Sequence, residues 1–214
     1  MEKDIKIKDL IIAPHADDEV LGCGGILGRN FFVYYCGIDE SRLPVTDHRR
    51  NLSMDERQAE IKNVADFLGF EWGCNFENKV NYYEEVKLIA IFEKLFNDLR
   101  PERVFIPIPS YNQDHRAVYN AAEIALRPHD RNFFVRKVLV YEQPDSIVWE
   151  HKPFKVNYFV PIDIERKINA YRLHKSQVRA MRSPETLRAI AALRGAQINC
   201  KFAEAFVVER WVQQ

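Results

Sequence analysis

Short apolar runs and segments of helical period take turns along this chain, and that alternation narrows the fold more than any other feature. DLIIA (9–13), closed by Pro14, has the pattern of a buried strand, and the aromatic run FFVYYCG (31–37) reads as a second one. Residues 19–29 read as a short glycine-containing helix between them. Ser53 lies three residues before Glu56, in capping-box spacing, and Ile61, Val64, Ala65 and Leu68 then share one face until Gly69 stops the helix. Val86, Ile89, Ala90, Phe96 and Leu99 mark another helix ahead of Pro101. VFIP (104–107) is a strand; Val118, Ala121, Ala122 and Ala125 form the inner face of a helix that ends before Pro128; KVLVYE (137–142) is a further strand. The last third is less regular, with NYFVPIDI, helical patterns at 165–175 and 185–194, and AFVVERW as a late strand. Strands alternating with helices predict an α/β fold, a mostly parallel sheet with helices on both faces. Without repeats, low complexity or a linker, residues 1–214 read as a single domain.

Composition excludes several function classes. The chain has 214 residues, 47% hydrophobic, enough for a full core. Thirty-one basic residues balance thirty-one acidic ones, so no global basic footprint points to nucleic acid; HRR at 48–50 is the densest local patch. The four cysteines (Cys23, Cys36, Cys74, Cys200) form no C-x-x-C pair and read as reduced, mostly buried thiols of a cytoplasmic protein. MEKDIKIKDL has no apolar core of a signal peptide, and no run approaches the roughly 20 apolar residues of a membrane span. The oligomeric state is left open, a homo-oligomer included.

In parallel α/β sheets, ligands bind outside the carboxyl ends of the strands. Three polar stretches fall there: PHADDE after the first strand, GIDE after the second, and PSYNQDH after VFIP. Imidazole and carboxylate are ordinary ligands of catalytic zinc, which needs three protein groups and an open position. His15 at the strand exit and Asp18 a helical turn later can converge on one ion, with His115 from the other strand mouth as the third ligand. Asp17 need not bind the ion; a free carboxylate beside such a site is a general base. The competing reading is an acidic helix start, since carboxylates favour that position. A histidine in front of the acidic run, and a second Asp-His at another strand end, favour the metal.

GCGG (22–25) raises a rival, the dinucleotide fingerprint. Counting G-x-G-x-x-G from Gly22 places the third glycine where Leu27 stands, and two carboxylates at the mouth would repel a pyrophosphate. Close packing of the helix on the sheet is the better reason for these glycines.

PHADDEVLGCGG resembles the A-H-P-D-D-E-x-x-G-x-G-G signature of the PIG-L (LmbE-like) de-N-acetylases. ERQAEIKNVADFLGF resembles that family's R-x-x-E-x-x-x-A-x-x-L-G helix, and NQDHRAVYNAAEIALRP its H-x-D-H-R motif. RSPETLRAIAALRGAQINCKFAEAF is similar to the tail of a bacterial subgroup associated with surface-sugar biosynthesis. The resemblance implies a Rossmann-like three-layer sandwich and zinc-dependent hydrolysis of an N-acetyl group on a small amino-sugar substrate. It implies His15, Asp18 and His115 as zinc ligands and Asp17 as the base. Ala16 stands where the family usually has proline, and Asn112 where many members carry a histidine that stabilises the oxyanion. Asn112 can donate a hydrogen bond there but carries no charge, so Tyr111 or Arg57 is expected to assist.

Arg57 and Glu60 sit one turn apart, an ordinary ion-pair spacing, while the resemblance implies a sugar or phosphate contact for Arg57. Asp114 is expected to orient its neighbours rather than bind metal. Arg182 is a candidate contact for an anionic substrate, and Glu204 for a place near the site. His48, His129 and His151 have no ligand spacing; His174, on a helix, is the one to watch. Two other functions fit the same residues: amide hydrolysis on an antibiotic, thiol-sugar conjugate or diacetyl compound, and a sugar- or nucleotide-binding module without turnover. Iron, cobalt or manganese would suit a His-Asp-His set as well as zinc.

Overall fold

The computed structural model describes residues 7–40, 52–149 and 154–213. His48, the HRR patch and His151 lie outside them. Within them one seven-stranded sheet carries helices on both faces. The strands are β1 (Asp9–Ala13), β2 (Phe31–Tyr35), β3 (Glu71–Cys74), β4 (Arg103–Pro107), β5 (Lys137–Tyr141), β6 (Tyr158–Pro161) and β7 (Ala203–Trp211). Their order across the sheet is β3-β2-β1-β4-β5-β7-β6. The first five pair in parallel, and β7 runs antiparallel to both β5 and β6. The helices are α1 (Asp18–Cys23), α2 (Met54–Leu68), α3 (Glu85–Leu99), α4 (Gln113–Ala125), α5 (Pro144–Val148), α6 (Ile164–Tyr171) and α7 (Pro184–Ala196).

Strand alternation sends successive side chains to opposite faces, and each face has its own helices. Ile11, Ala13, Val33, Tyr35 and Leu139 pack with Val20 of α1, Ile61 and Val64 of α2, and Tyr171 of α6. Leu10, Ile12, Val104, Ile106 and Val140 pack with Phe92 and Phe96 of α3 and Val118 and Ala122 of α4. Both faces are thus buried, which is why these strands read as continuous apolar runs. Asp9 and Arg103 are register partners on β1 and β4, joined by two bonds of 2.6 and 2.7 Å.

Ser53 caps α2 with both bonds of the capping box, and Gly69 ends the helix at φ 86°. The first helix is shorter than its pattern predicts. It stops at Cys23, and the chain turns through Gly24 and Gly25 with Ile26 and Leu27 N–H groups bonding back to the Cys23 carbonyl. Gly22 is needed for packing rather than for phosphate: a Cβ there would stand 2.2 Å from the Tyr141 ring. Two elements escape the pattern. Strand β3 is a four-residue edge that sets only Trp72 and Cys74 against the core, and α5 is a single turn started by Pro144. Among the described residues, no helix is long and apolar enough to cross a membrane.

Strand β1 passes leftward to β2 and β3, and the chain then returns to place β4 on the other side of β1. The carboxyl ends of β1 and β4 therefore flank the point where the winding reverses, the ordinary ligand crevice of such sheets.

Candidate metal centre and active site

Pro14 and His15 leave β1 just at that crevice, Asp18 opens α1, and His115 lies in the first turn of α4 after β4. One ligand atom from each of His15, Asp18 and His115 lies within 4.8 Å of the others. Asp18 Oδ2 stands between the rings, 3.4 Å from His15 Nδ1 and 3.3 Å from His115 Nε2, and it accepts the His15 backbone N–H at 2.9 Å. Asp18 Oδ1 and both His115 ring nitrogens are buried without a hydrogen-bond partner among the described residues. A buried polar atom left unsatisfied costs about 1–3 kcal/mol. The His115 nitrogen on the Asp18 side, Nε2, together with the Asp18 carboxylate and His15, fits a divalent cation, which would satisfy that nitrogen and the carboxylate.

The surroundings suit the same purpose. Asp114 Oδ2 lies 2.8 Å from His15 Nε2 and also accepts the Asn81 N–H at 2.7 Å, which leaves His15 Nδ1 as the ligand nitrogen. Tyr83 donates its hydroxyl to the Pro14 carbonyl at 2.7 Å and sets its ring 6.0 Å from that of His15. Burial opposes charge on His15, but bonds to Asp114 and Asp18 outweigh it and push its pKa up to about 10. Burial likewise disfavours the Asp18 carboxylate, and the two histidines overcome this and hold it well below the usual range.

Asp17 is buried beside this cluster with φ 151° and ψ −22°, a conformation L residues rarely adopt. Such strain costs about 1–3 kcal/mol and persists only where the surroundings impose it. Its Oδ2 accepts from Arg182 Nη1 at 2.7 Å, its Oδ1 has no hydrogen-bond partner among the described residues, and its N–H donates to Glu19 Oε2 at 3.1 Å. Glu19 Oε1 lies 2.6 Å from His174 Nε2, and both side chains are fully buried. Burial opposes charge on His174, and the facing Glu19 carboxylate more than offsets it, so its pKa is raised.

The remaining expected residues divide. Asn112 caps α4 through its Oδ1, which accepts the Asp114 N–H at 2.8 Å, so its amide NH₂ is the end left for a ligand. Tyr111 is exposed and meets Trp149 edge to face, ring centres 6.2 Å apart. Arg182 closes on Asp17 from the short 3-10 turn Ala180–Arg182. Arg57 is only 2% exposed and donates to Glu60 (3.0 Å), Ser176 (2.7 Å) and Glu40 (2.9 Å), fastening α2 to two loops. Glu204 lies on β7, bonded to Lys167 Nζ at 2.6 Å and the Gly25 N–H at 2.8 Å, and neither partner belongs to the cluster. Sequence reasoning passed over Glu19, Tyr83 and Asp145. Asp145 is buried in α5, with a pKa raised by burial against the pull of His115 and Arg182. The signal for Glu19 was its place as the last acid of the PHADDE stretch, which was not assigned a role.

Comparisons with known proteins agree with this geometry. Residues 10–126 match the family model PIG-L, described as GlcNAc-PI de-N-acetylase. The diacetylchitobiose deacetylase of Thermococcus kodakarensis is 29% identical over 231 residues, covering 94% of this chain and 82% of the relative. The structure of an N,N'-diacetylchitobiose deacetylase from Pyrococcus horikoshii superposes with a TM-score of 0.72 at 23% identity, over 95% of this chain and 84% of that one. A 4-carboxy-2-hydroxymuconate hydratase from Pseudomonas putida shares the fold, with a TM-score of 0.74 at 18% identity over 97% and 99% of the two chains. The family match, which takes in both the His15–Asp18 loop and His115, covers more than half of the sequence: the chain belongs to the PIG-L family.

Proposed function

We propose that this protein is a metal-dependent hydrolase that removes an N-acetyl group from an amino-sugar derivative. The observation that carries the reading is the strained, buried Asp17 set directly against a three-ligand His-Asp-His cluster at the crevice of a PIG-L chain. His15, Asp18 and His115 hold the ion. When bound, a divalent metal supplies Lewis acidity for the acetyl carbonyl and lowers the pKa of water.

Asp17 takes the proton of the attacking water on Oδ1, the oxygen without a partner, while Arg182 fixes Oδ2. As the C–N bond breaks, Asp17 returns that proton to the leaving nitrogen, so water and amide become acetate and amine. The Asn112 NH₂ serves the developing oxyanion, and the Arg182 guanidinium supplies the positive charge that an asparagine lacks. Asp114 keeps His15 in its ligand orientation. The exposed Tyr111 and Trp149 rings, one residue before Asn112 and at the end of α5, suit the apolar face of a sugar ring.

The Thermococcus relative, named for diacetylchitobiose, supports an N-acetylated amino sugar as substrate. The tail resemblance extends this to bacterial glycoconjugate synthesis, where a nucleotide-linked sugar would also present an anion to Arg182. Zinc is the metal we assign. Metal content and acetate release, measured together on wild type and Asp17→Asn across free and nucleotide-linked N-acetyl sugars, test the reading. Stoichiometric metal in both proteins with acetate from wild type alone is expected. Zinc-loaded wild type that cleaves no amide in the panel would overturn it.

A further inference from the structure

The fully buried pair of Glu19 and His174 has no place in the hydrolytic steps above, yet it touches the residue at their centre. We infer that this pair is a positioning device that holds the backbone of Asp17 in its strained, reactive conformation, an inference that rests on the deacetylase reading. Glu19 Oε2 accepts the Asp17 N–H at 3.1 Å, and Glu19 Oε1 meets His174 Nε2 at 2.6 Å. The carboxylate thus bridges a ring 155 residues away to the one peptide whose φ of 151° the chain would otherwise relax.

The chemistry explains why these residue types are used. A carboxylate is a stronger acceptor than a neutral carbonyl, so it grips the Asp17 N–H where the backbone is strained. A carboxylate buried close to Asp17 and Asp18 is untenable alone. His174, facing Glu19 from the segment after α6, supplies the donor that makes it tenable, and both side chains are excluded from solvent. Arg182 fixes the Asp17 carboxylate and Glu19 fixes the Asp17 backbone, so the base is held at both ends.

The test compares zinc-loaded wild type with Glu19→Gln, His174→Leu and His174→Gln, the last keeping a donor where Nε2 stands. Metal content, melting temperature, kcat and KM for diacetylchitobiose, and the exchange rate of the Asp17 amide proton are read on each. Glu19→Gln and His174→Leu are expected to keep the metal and KM, to lose about 100-fold in kcat, and to speed Asp17 amide exchange about tenfold. Those of Ile11 and Ile12 should stay unchanged. His174→Gln is expected to recover most of both losses. Unchanged Asp17 exchange in the two disruptive variants would overturn the inference, as would a fall in activity that only tracks lost metal or lost fold. If zinc-loaded wild type cleaves no amide, the deacetylase reading fails by itself, and amide exchange still decides whether the pair holds Asp17.

Discussion

At most positions alanine stabilises a protein relative to glycine; at Asp17 the order should invert. Asp17→Gly and Asp17→Ala both remove the carboxylate, both leave Arg182 without that partner, and both keep the N–H that bonds Glu19. Those losses cancel in the comparison, and only the Cβ at φ 151° differs. The strain is worth about 1–3 kcal/mol, and glycine alone escapes it. Against this stands the extra freedom of glycine in the unfolded chain, about 0.5–1 kcal/mol. The difference leaves the glycine variant ahead by about 1 kcal/mol, or roughly 2–4 °C in Tm for a chain of this size. Urea and thermal melts of both variants under chelator, so that metal binding does not contribute, measure it. Neither variant should release acetate. An alanine variant as stable as the glycine variant, or more so, would refute the claim that the fold imposes strain at the base.

Four further outcomes follow. Asp114→Asn keeps an acceptor beside His15 but weakens it, and should lower metal affinity about 10–100-fold with little change in Tm, as read by competition with a zinc indicator. His115→Ala should abolish stoichiometric metal in elemental analysis while the far-ultraviolet circular dichroism stays native. Gly22→Ala drives a methyl into the Tyr141 ring, 2.2 Å away, and should cost about 1–3 kcal/mol in denaturant unfolding. Arg194→Ala strips Glu142 of two bonds, 2.9 and 2.5 Å, inside the protein, and should cost about 3–5 kcal/mol, whereas Arg194→Ala with Glu142→Leu should recover much of that.

The legible parts of this molecule are those written in short-range pattern. Apolar runs of five residues between amphipathic helices specified a doubly covered parallel sheet, because burial on both faces leaves no polar alternation to misread. His15, Asp18 and His115 could be named as a set because strand ends gather at one crevice, and their ligand atoms do lie within 4.8 Å. What escaped depends on distance along the chain or on local irregularity. No spacing reveals that His174 meets Glu19, or that Glu204 meets Lys167, since those pairs form only when helices dock. Arg57 shows the same limit: its periodicity placed it on a helix face, but only Glu40 and Ser176, brought in from elsewhere, turned that face into a buried clamp. Strand β3 is only four residues long, with two apolar side chains around Gly73, too short a pattern to stand out before it pairs with β2.

The strand order has a consequence for how the molecule is born. Strand β7, formed by residues 203–211, is the late arrival that joins β5 to β6. A nascent chain emerging from the ribosome can close β3-β2-β1-β4-β5 early, but β6 must wait for β7 before it has a neighbour. Until then β5 presents an open edge, ready to pair with another molecule. A chain cut short before residue 203 would therefore leave the β5 edge of a five-stranded sheet exposed to pairing.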